Sequence, residues 1–188
     1  MIYENIIKKR TIRLFKQKPI DYQILKKCID AARQSSSARN SQPLEYILID
    51  DSKTLKNMLS LINFGGFISE DKKAKKDFEP AALIIIIAKK DSEDYYKYDV
   101  GIAAQNIALI AYENNIGCCM MGAIEKEEIQ NALNVPDNYF VDLVISLGYP
   151  AEQPVLEETD SEPEYYRKDD VLHVPKRKLK DVLHRNKY

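Results

Sequence analysis

The sequence predicts an α+β fold, a mixed sheet of four to five strands wrapped by helices. Two segments, Ala82 to Ala88 and Phe140 to Leu147, are almost continuously apolar and rich in β-branched residues. That is the pattern of strands covered on both faces. Other stretches repeat apolar residues at helical spacing. Helix-rich stretches dominate and clean strand–helix–strand units are few, which favours α+β over a regularly alternating parallel fold.

A short helix opens the chain and ends before Lys9. Asp21 is an N-cap, and Ile24, Leu25, Cys28, Ile29 and Ala32 follow at helical spacing, giving about three turns with one apolar face. Ser35 to Ser41 is a polar loop. Glu45 to Asp50 reads as a strand, and Ser52 to Ile62 as a second amphipathic helix through Leu55, Met58, Leu59 and Ile62. Gly65-Gly66 breaks regular structure at the start of a Lys-rich loop reaching Glu79. After the strand at Ala82 to Ala88, Asp99 opens a helix running to about Asn115. It is apolar nearly all round and so belongs in the molecular centre or a subunit interface. Asn114 to Gly117 stops it. Cys118 to Met121 is a short strand, Lys126 to Leu133 a short helix, Phe140 to Leu147 a buried strand and Val171 to Val174 a weak last strand. The tail from Lys178 is read as helical.

The chain has 188 residues, the size of a single domain spanning 1–188. Its 28 Lys and Arg balance 29 Asp and Glu, which excludes a basic field for nucleic acid or anionic membrane. The longest apolar run, Ala81 to Ala88, is far below the ~20 residues of a spanning helix, and the first ten residues lack a signal-peptide pattern. Three cysteines, two of them adjacent, suit neither a disulfide framework nor a zinc site and suggest a reducing cytoplasm; no metal is expected. Locally the charge is uneven. Ala151 to Tyr166 carries six acids and no base, and Arg167 to Tyr188 carries eight bases and three acids. The default reading is two solvated faces. The alternative gives the basic tail a share of an anion site.

Four segments carry candidate chemistry. Lys9-Arg10-Thr11-Ile12-Arg13 puts three cations and a hydroxyl within five residues, suited to phosphate; a basic helix end is the plain alternative. Ser35 to Pro43 offers hydroxyls and amides beside a strand, able to meet the planar edge of a ring, and equally a turn rich in turn formers. Gly117 to Ala123 is a small-residue segment leaving a buried strand, where a ring could approach the backbone, and equally a strand end packed in the core. His173 to Lys178 is a basic stretch. Cys118 and Cys119 read as small buried hydrophobes rather than a redox pair.

In order and together, these segments resemble the FMN-dependent nitroreductase family, in its short-chain branch. Arg10-Thr11-Ile12-Arg13-Leu14-Phe15 resembles its opening basic motif. Ser36 to Pro43 resembles its Pro-Ser-x-x-Asn-x-Gln-Pro loop, with Ser36 in place of Pro and Leu44 in place of the aromatic that follows. Asp99 to Asn106 looks like its central helix, Ile116 to Ala123 like the segment after it, Ser146 to Pro150 like its Leu-Gly-Tyr-Pro strand end, and His173 to Arg177 like the ending of the short members. The resemblance implies a homodimer with FMN at the interface and NADH or NADPH as electron donor. It implies that Lys9, Arg10 and Thr11 contact the phosphate and ribityl chain, with Lys176 and Arg177 completing the clamp. Arg13 would lie at the pyrimidine edge, where a cation stabilises negative charge gained on reduction. Ser37, Ala38 and Asn40 would come from the other subunit, and Met121, Gly122 and Ala123 would lie along the ring. The middle segment, Asn63 to Asp77, is too variable to carry over, and only Gly65 is flagged in it. The reaction implied is two-step, ping-pong electron transfer to a small nitroaromatic- or quinone-like acceptor, with no catalytic side chain because the flavin does the chemistry. The competing readings are a non-catalytic FMN-storage protein on the same fold and an interaction protein without a cofactor.

Overall fold

The computed structural model describes residues 2–64 and 76–188. In chain order the elements are α1 (Ile2–Lys8), β1 (Phe15–Lys16), α2 (Tyr22–Arg33), β2 (Leu44–Ile49), α3 (Ser52–Leu59), β3 (Ala82–Lys89), α4 (Tyr96–Glu113), β4 (Gly117–Met121), α5 (Lys126–Ala132), β5 (Tyr139–Pro150), β6 (Val155–Thr159), β7 (Tyr166–Lys168) and β8 (Val171–Arg177). Gly65 lies outside the described residues.

Asp21 and Asp51 start α2 and α3 by accepting from the amides of Gln23 (2.8 Å) and Thr54 (2.9 Å). The main sheet has five strands. β3 lies between β2 and β5, and β5 also pairs with β4 and β1. The strand pairings in it are antiparallel. β3 is nevertheless covered on both faces, because its alternating side chains divide the interior in two. Ile84 and Ile86 pack with Cys28, Ala103, Ala104 and Ile107 of α2 and α4. Leu83, Ile85 and Ile87 pack with Met58 of α3, Ile129 of α5, Cys119 and Met121. Ala82 to Ala88 are at most 3% exposed. Helices therefore cover both faces, as the apolar run required.

Three expectations are corrected. α4 begins at Tyr96 rather than at Asp99, whose carboxylate is turned to a neighbouring loop instead of capping the helix. The tail from Lys178 forms only one 3-10 turn, Leu179–Asp181, because no packed face supports a longer helix. The last strand is longer than Val171 to Val174 and is part of a second sheet, in which β8 pairs parallel with β6 and antiparallel with β7. β6 and β7 carry charges and half-exposed residues, so no apolar pattern announced them. The two charge runs, most of whose side chains are exposed, meet in this sheet. The acidic strand β6 lies along the basic strand β8, with Glu158 opposite Lys176.

α4 packs one face inward through Val100, Ala103, Ala104, Ile107, Ala108 and Ala111, and leaves Tyr98 and Ile102 exposed. α1 buries none of its residues and exposes Ile2, Tyr3, Ile6 and Ile7. Among the described residues no helix is long and apolar enough to cross a membrane.

Candidate functional site

The basic segment lies where two glycines face each other. Gly117 of β4 is paired with Gly148 of β5. A Cβ on Gly117 would fall 2.6 Å from Ile12 Cγ1, and one on Gly148 would fall 2.7 Å from Phe15 Cδ1. The missing side chains are what let the Ile12–Phe15 stretch lie directly on the sheet. Thr11 forms a parallel bridge with Cys118, and the Ile12 amide donates to the Cys118 carbonyl at 3.0 Å. With Ile12 facing the sheet and 6% exposed, Thr11 and Arg13 on either side face away from it.

Arg10 folds back on α1. Its guanidinium donates to the carbonyls of Lys9 and, at 2.6 Å, Ile7, satisfying groups left open at the helix end. Its Nε is buried without a partner among the described residues. Desolvation lowers the Arg10 pKa from its ordinary value, partly opposed by Tyr112. Arg10 lines a groove of about 1190 Å3 with Lys8, Lys9, Lys16, Tyr112 and Tyr149.

Arg13 is held more tightly. Its Nε donates to the Phe64 carbonyl at 3.0 Å, and its guanidinium lies 4.6 Å from the Tyr165 ring centroid. Next to Phe64, the Asn63 amide donates to the Ala123 carbonyl at 2.9 Å, and Ile62 bridges Ile124. The segment that holds Arg13 thus also holds the end of β4. Gly122 and Ala123 are exposed there, and a Cβ on Gly122 would meet nothing within 4 Å. The Met121 side chain is committed to the core beneath α3 and α5, so its backbone is what remains for a ligand; Met120 is exposed instead.

The Ser35–Pro43 loop is fixed to the start of α4. Asp99, 5% exposed, accepts from Ser37 Oγ at 2.6 Å and from the Ala38 amide at 3.4 Å. Ser37 Oγ accepts from the Gln42 amide at 3.0 Å, and Asn106 donates to Ser35 Oγ at 2.9 Å. Arg39, Asn40 and Gln42 all have positive φ, so the loop holds a conformation that is strained for non-glycine residues. Burial beside Asp99 pushes the Tyr46 hydroxyl up to about 12.

Burial also pushes the thiols up, to about 12 for Cys28 and about 11 for Cys118, where Lys9 opposes the shift and Cys119 adds to it. Both shifts favour the protonated, folded state, so their stabilisation is complete below the unfolded thiol pKa and is lost as pH rises towards 11–12. At pH 8 iodoacetamide is expected to label these two thiols in unfolded protein and leave them intact in native protein, as read by mass spectrometry. Rapid native labelling would contradict their role as core side chains.

The structure therefore brings Lys9, Arg10, Thr11 and Arg13 into one region with Gly122 and Ala123. It does not bring Ser37, Ala38 and Asn40 there within one chain. Asp99 holds their loop at one end of α4, while Tyr112 lines the Arg10 groove at the other. Thirteen residues at 1.5 Å each separate those points by about 20 Å. Lys176 and Arg177 are exposed at the end of β8, outside the groove lining, and the Arg177 Nη2 donates to the Asp181 carbonyl at 2.7 Å.

The model of the nitroreductase family matches residues 6–149. The chain belongs to the nitroreductase family. That family's chemistry is FMN-dependent and linked to NAD(P)H, and its fold is typically dimeric. A protein of Archaeoglobus fulgidus with the provisional name NADH dehydrogenase/NAD(P)H nitroreductase is 29% identical over 190 residues, covering 97% of this chain and 96% of that one. An NADPH-dependent oxidoreductase of Staphylococcus aureus is 24% identical, covering 100% and 74%. Among solved structures, an FMN-dependent nitroreductase from Clostridium difficile is 27% identical with a TM-score of 0.72, covering 98% of each chain.

Within this nitroreductase frame, sequence reasoning missed Phe64, Glu152 and Tyr165 as parts of the site and saw Asp99 only as a helix start. Glu152 was counted in an acidic run. Its separation from the other acids by Gln153-Pro154-Val155-Leu156 was the available signal. Its side chain is 5% exposed and paired with Arg167 at 2.8 Å.

Proposed function

We propose that this chain is an FMN-dependent oxidoreductase passing electrons from NADH or NADPH to a small nitroaromatic- or quinone-like acceptor by a two-step, ping-pong mechanism. It works as a cytoplasmic homodimer in which residues 1–188 form one FMN-binding domain. The observation that carries the shared site is the length of α4. About 20 Å of α4 separates Asp99, which holds the Ser37 loop, from Tyr112 beside the basic segment, so a second copy is the better source of a loop that meets the ring close to that segment. The exposed apolar residues Ile2, Tyr3 and Ile6 of α1, with Leu179, Val182 and Leu183 of the tail, offer surface for that copy.

The residues present fit the flavin. The unpartnered Arg10 Nε and the cations beside it suit a phosphate. The open space at Gly122 suits a flat ring against backbone. Bound FMN supplies the redox chemistry, with two-electron exchange at one ring. Lys9, Arg10 and Thr11 hold the phosphate and ribityl end, with Lys176 and Arg177 adding charge. Arg13 offers a fixed cation where reduction concentrates negative charge. Ser37, Ala38 and Asn40 of the second copy would lie against the ring, and the amides of Gly122 or Ala123 would serve as its donors.

The test is an absorbance spectrum of purified protein before and after anaerobic NADH or NADPH. Flavin bands that bleach are the expected result. Flavin that bleaches with neither donor would favour storage over turnover. A colourless protein after FMN reconstitution would overturn the proposal.

A further inference from the structure

We infer that Glu152 and Tyr165 form a clamp that positions Arg13, setting how strongly its guanidinium favours the reduced flavin. The inference rests on the proposed place of Arg13 at the flavin. Glu152 Oε1 accepts from the amides of Arg13 (2.5 Å) and Leu14 (3.0 Å), and Oε2 accepts from Arg167 Nη2 (2.8 Å). One nearly buried carboxylate therefore fixes the backbone that carries Arg13 and ties it to the strand after Tyr165. The Leu14 carbonyl accepts from the Ala151 amide at 2.9 Å, which locks the same two segments in register.

The side chain of Arg13 is fixed separately. Phe64 holds its Nε, and its guanidinium carbon lies over the Tyr165 ring, 4.6 Å from the centroid. Among the described residues no group accepts from its two terminal nitrogens. They are the pair that a planar acceptor edge uses in a bidentate contact. A cation free to rotate in water would be ordered only when the flavin gains negative charge, and that ordering entropy, paid in the reduced state alone, would offset part of the attraction that distinguishes reduced from oxidised flavin. Glu152 borders the Arg10 groove, but both of its oxygens are taken up by protein donors, the amides of Arg13 and Leu14 and the Arg167 guanidinium. It acts through Arg13.

Replacing Glu152 with Gln keeps shape and an acceptor oxygen but sets an amide donor against the Arg167 donor. The test compares Arg13→Ala, Glu152→Gln and Tyr165→Leu holoenzymes, with thermal melting to check folding. The readout is the ratio of affinities for reduced over oxidised FMN, obtained from the bound-flavin midpoint potential and the FMN dissociation constant. Arg13→Ala and Glu152→Gln are expected to lower the ratio about tenfold, and Tyr165→Leu about threefold. A purely structural role would lower the melting temperature and leave the ratio unchanged. If Arg13→Ala lowers the ratio while folded Glu152→Gln keeps the wild-type value, the clamp is wrong and the Arg13 reading stands. If Arg13→Ala keeps the wild-type ratio, both fall. Should Glu152→Gln fail to fold, Tyr165→Leu decides, and a wild-type ratio there overturns the clamp.

Discussion

Gly148→Ala is expected to lower the melting temperature by about 3–10 °C and to leave purified protein largely free of FMN. The new methyl would lie 2.7–2.8 Å from the Cδ1, Cβ and Cγ atoms of Phe15, closer than carbon atoms tolerate. Phe15 cannot yield cheaply. It is fully buried, its amide donates to the Phe78 carbonyl at 3.1 Å, and its backbone is paired with Pro150. Overpacking of this kind costs about 1–3 kcal/mol, and in a domain of this size each kcal/mol moves the midpoint by about 2–4 °C. The functional loss follows from the proposed role of the segment that Phe15 ends, whose cations would hold the phosphate. Gly117→Ala, which drives a methyl into Ile12, is expected to act the same way nearer those cations. Calorimetry and the ratio of flavin to protein absorbance read both effects. Full flavin content in both variants would show that the segment is not held by these two close approaches.

Asp99→Ala is expected to cost about 1–3 kcal/mol, because it leaves the Ser37 hydroxyl and the Ala38 amide without their acceptor at a site 5% exposed. Its effect on flavin content distinguishes a shared site from a site within one chain. If each FMN takes its basic segment from one copy and its Ser37 loop from the other, a mixed dimer of Asp99→Ala and Gly148→Ala chains has one site with both parts intact and one with both damaged. Either variant alone has two damaged sites. Mixed dimers purified through two different tags are therefore expected to recover about half the wild-type FMN. No recovery would mean that both parts act within one chain, against the roughly 20 Å that α4 places between them.

The fold was legible to the extent that burial writes a period into the sequence. β3 and β5 were visible because their apolar runs exceed what a half-exposed strand carries, α2 because Asp21 and apolar spacing mark it locally, and α3 because its apolar spacing does. β6, β7 and the full β8 were not visible. Their stability comes from pairing with one another across the chain, and Glu158 opposite Lys176 is a relation that neither local stretch records. The same limit applied at the site. Lys9, Arg10, Thr11 and Arg13 stand together in sequence, so their charge could be read. Glu152 was set apart from the acids after it only by the four uncharged residues Gln153 to Leu156, which do not announce burial, since that is set by the amides of Arg13 and Leu14, 139 and 138 residues away.

By itself the sequence determined the α+β class, the buried central strands, the family resemblance and the order of the basic, Ser-rich and small-residue segments, because these follow from local composition and spacing. Only the tertiary structure decided that Gly117 and Gly148 jointly make room for the basic segment, that Glu152 fixes Arg13, and that α4 holds the Ser37 loop away from both. Those are distances between parts remote in the chain, set by backbone pairing and close packing, and no local pattern encodes a distance.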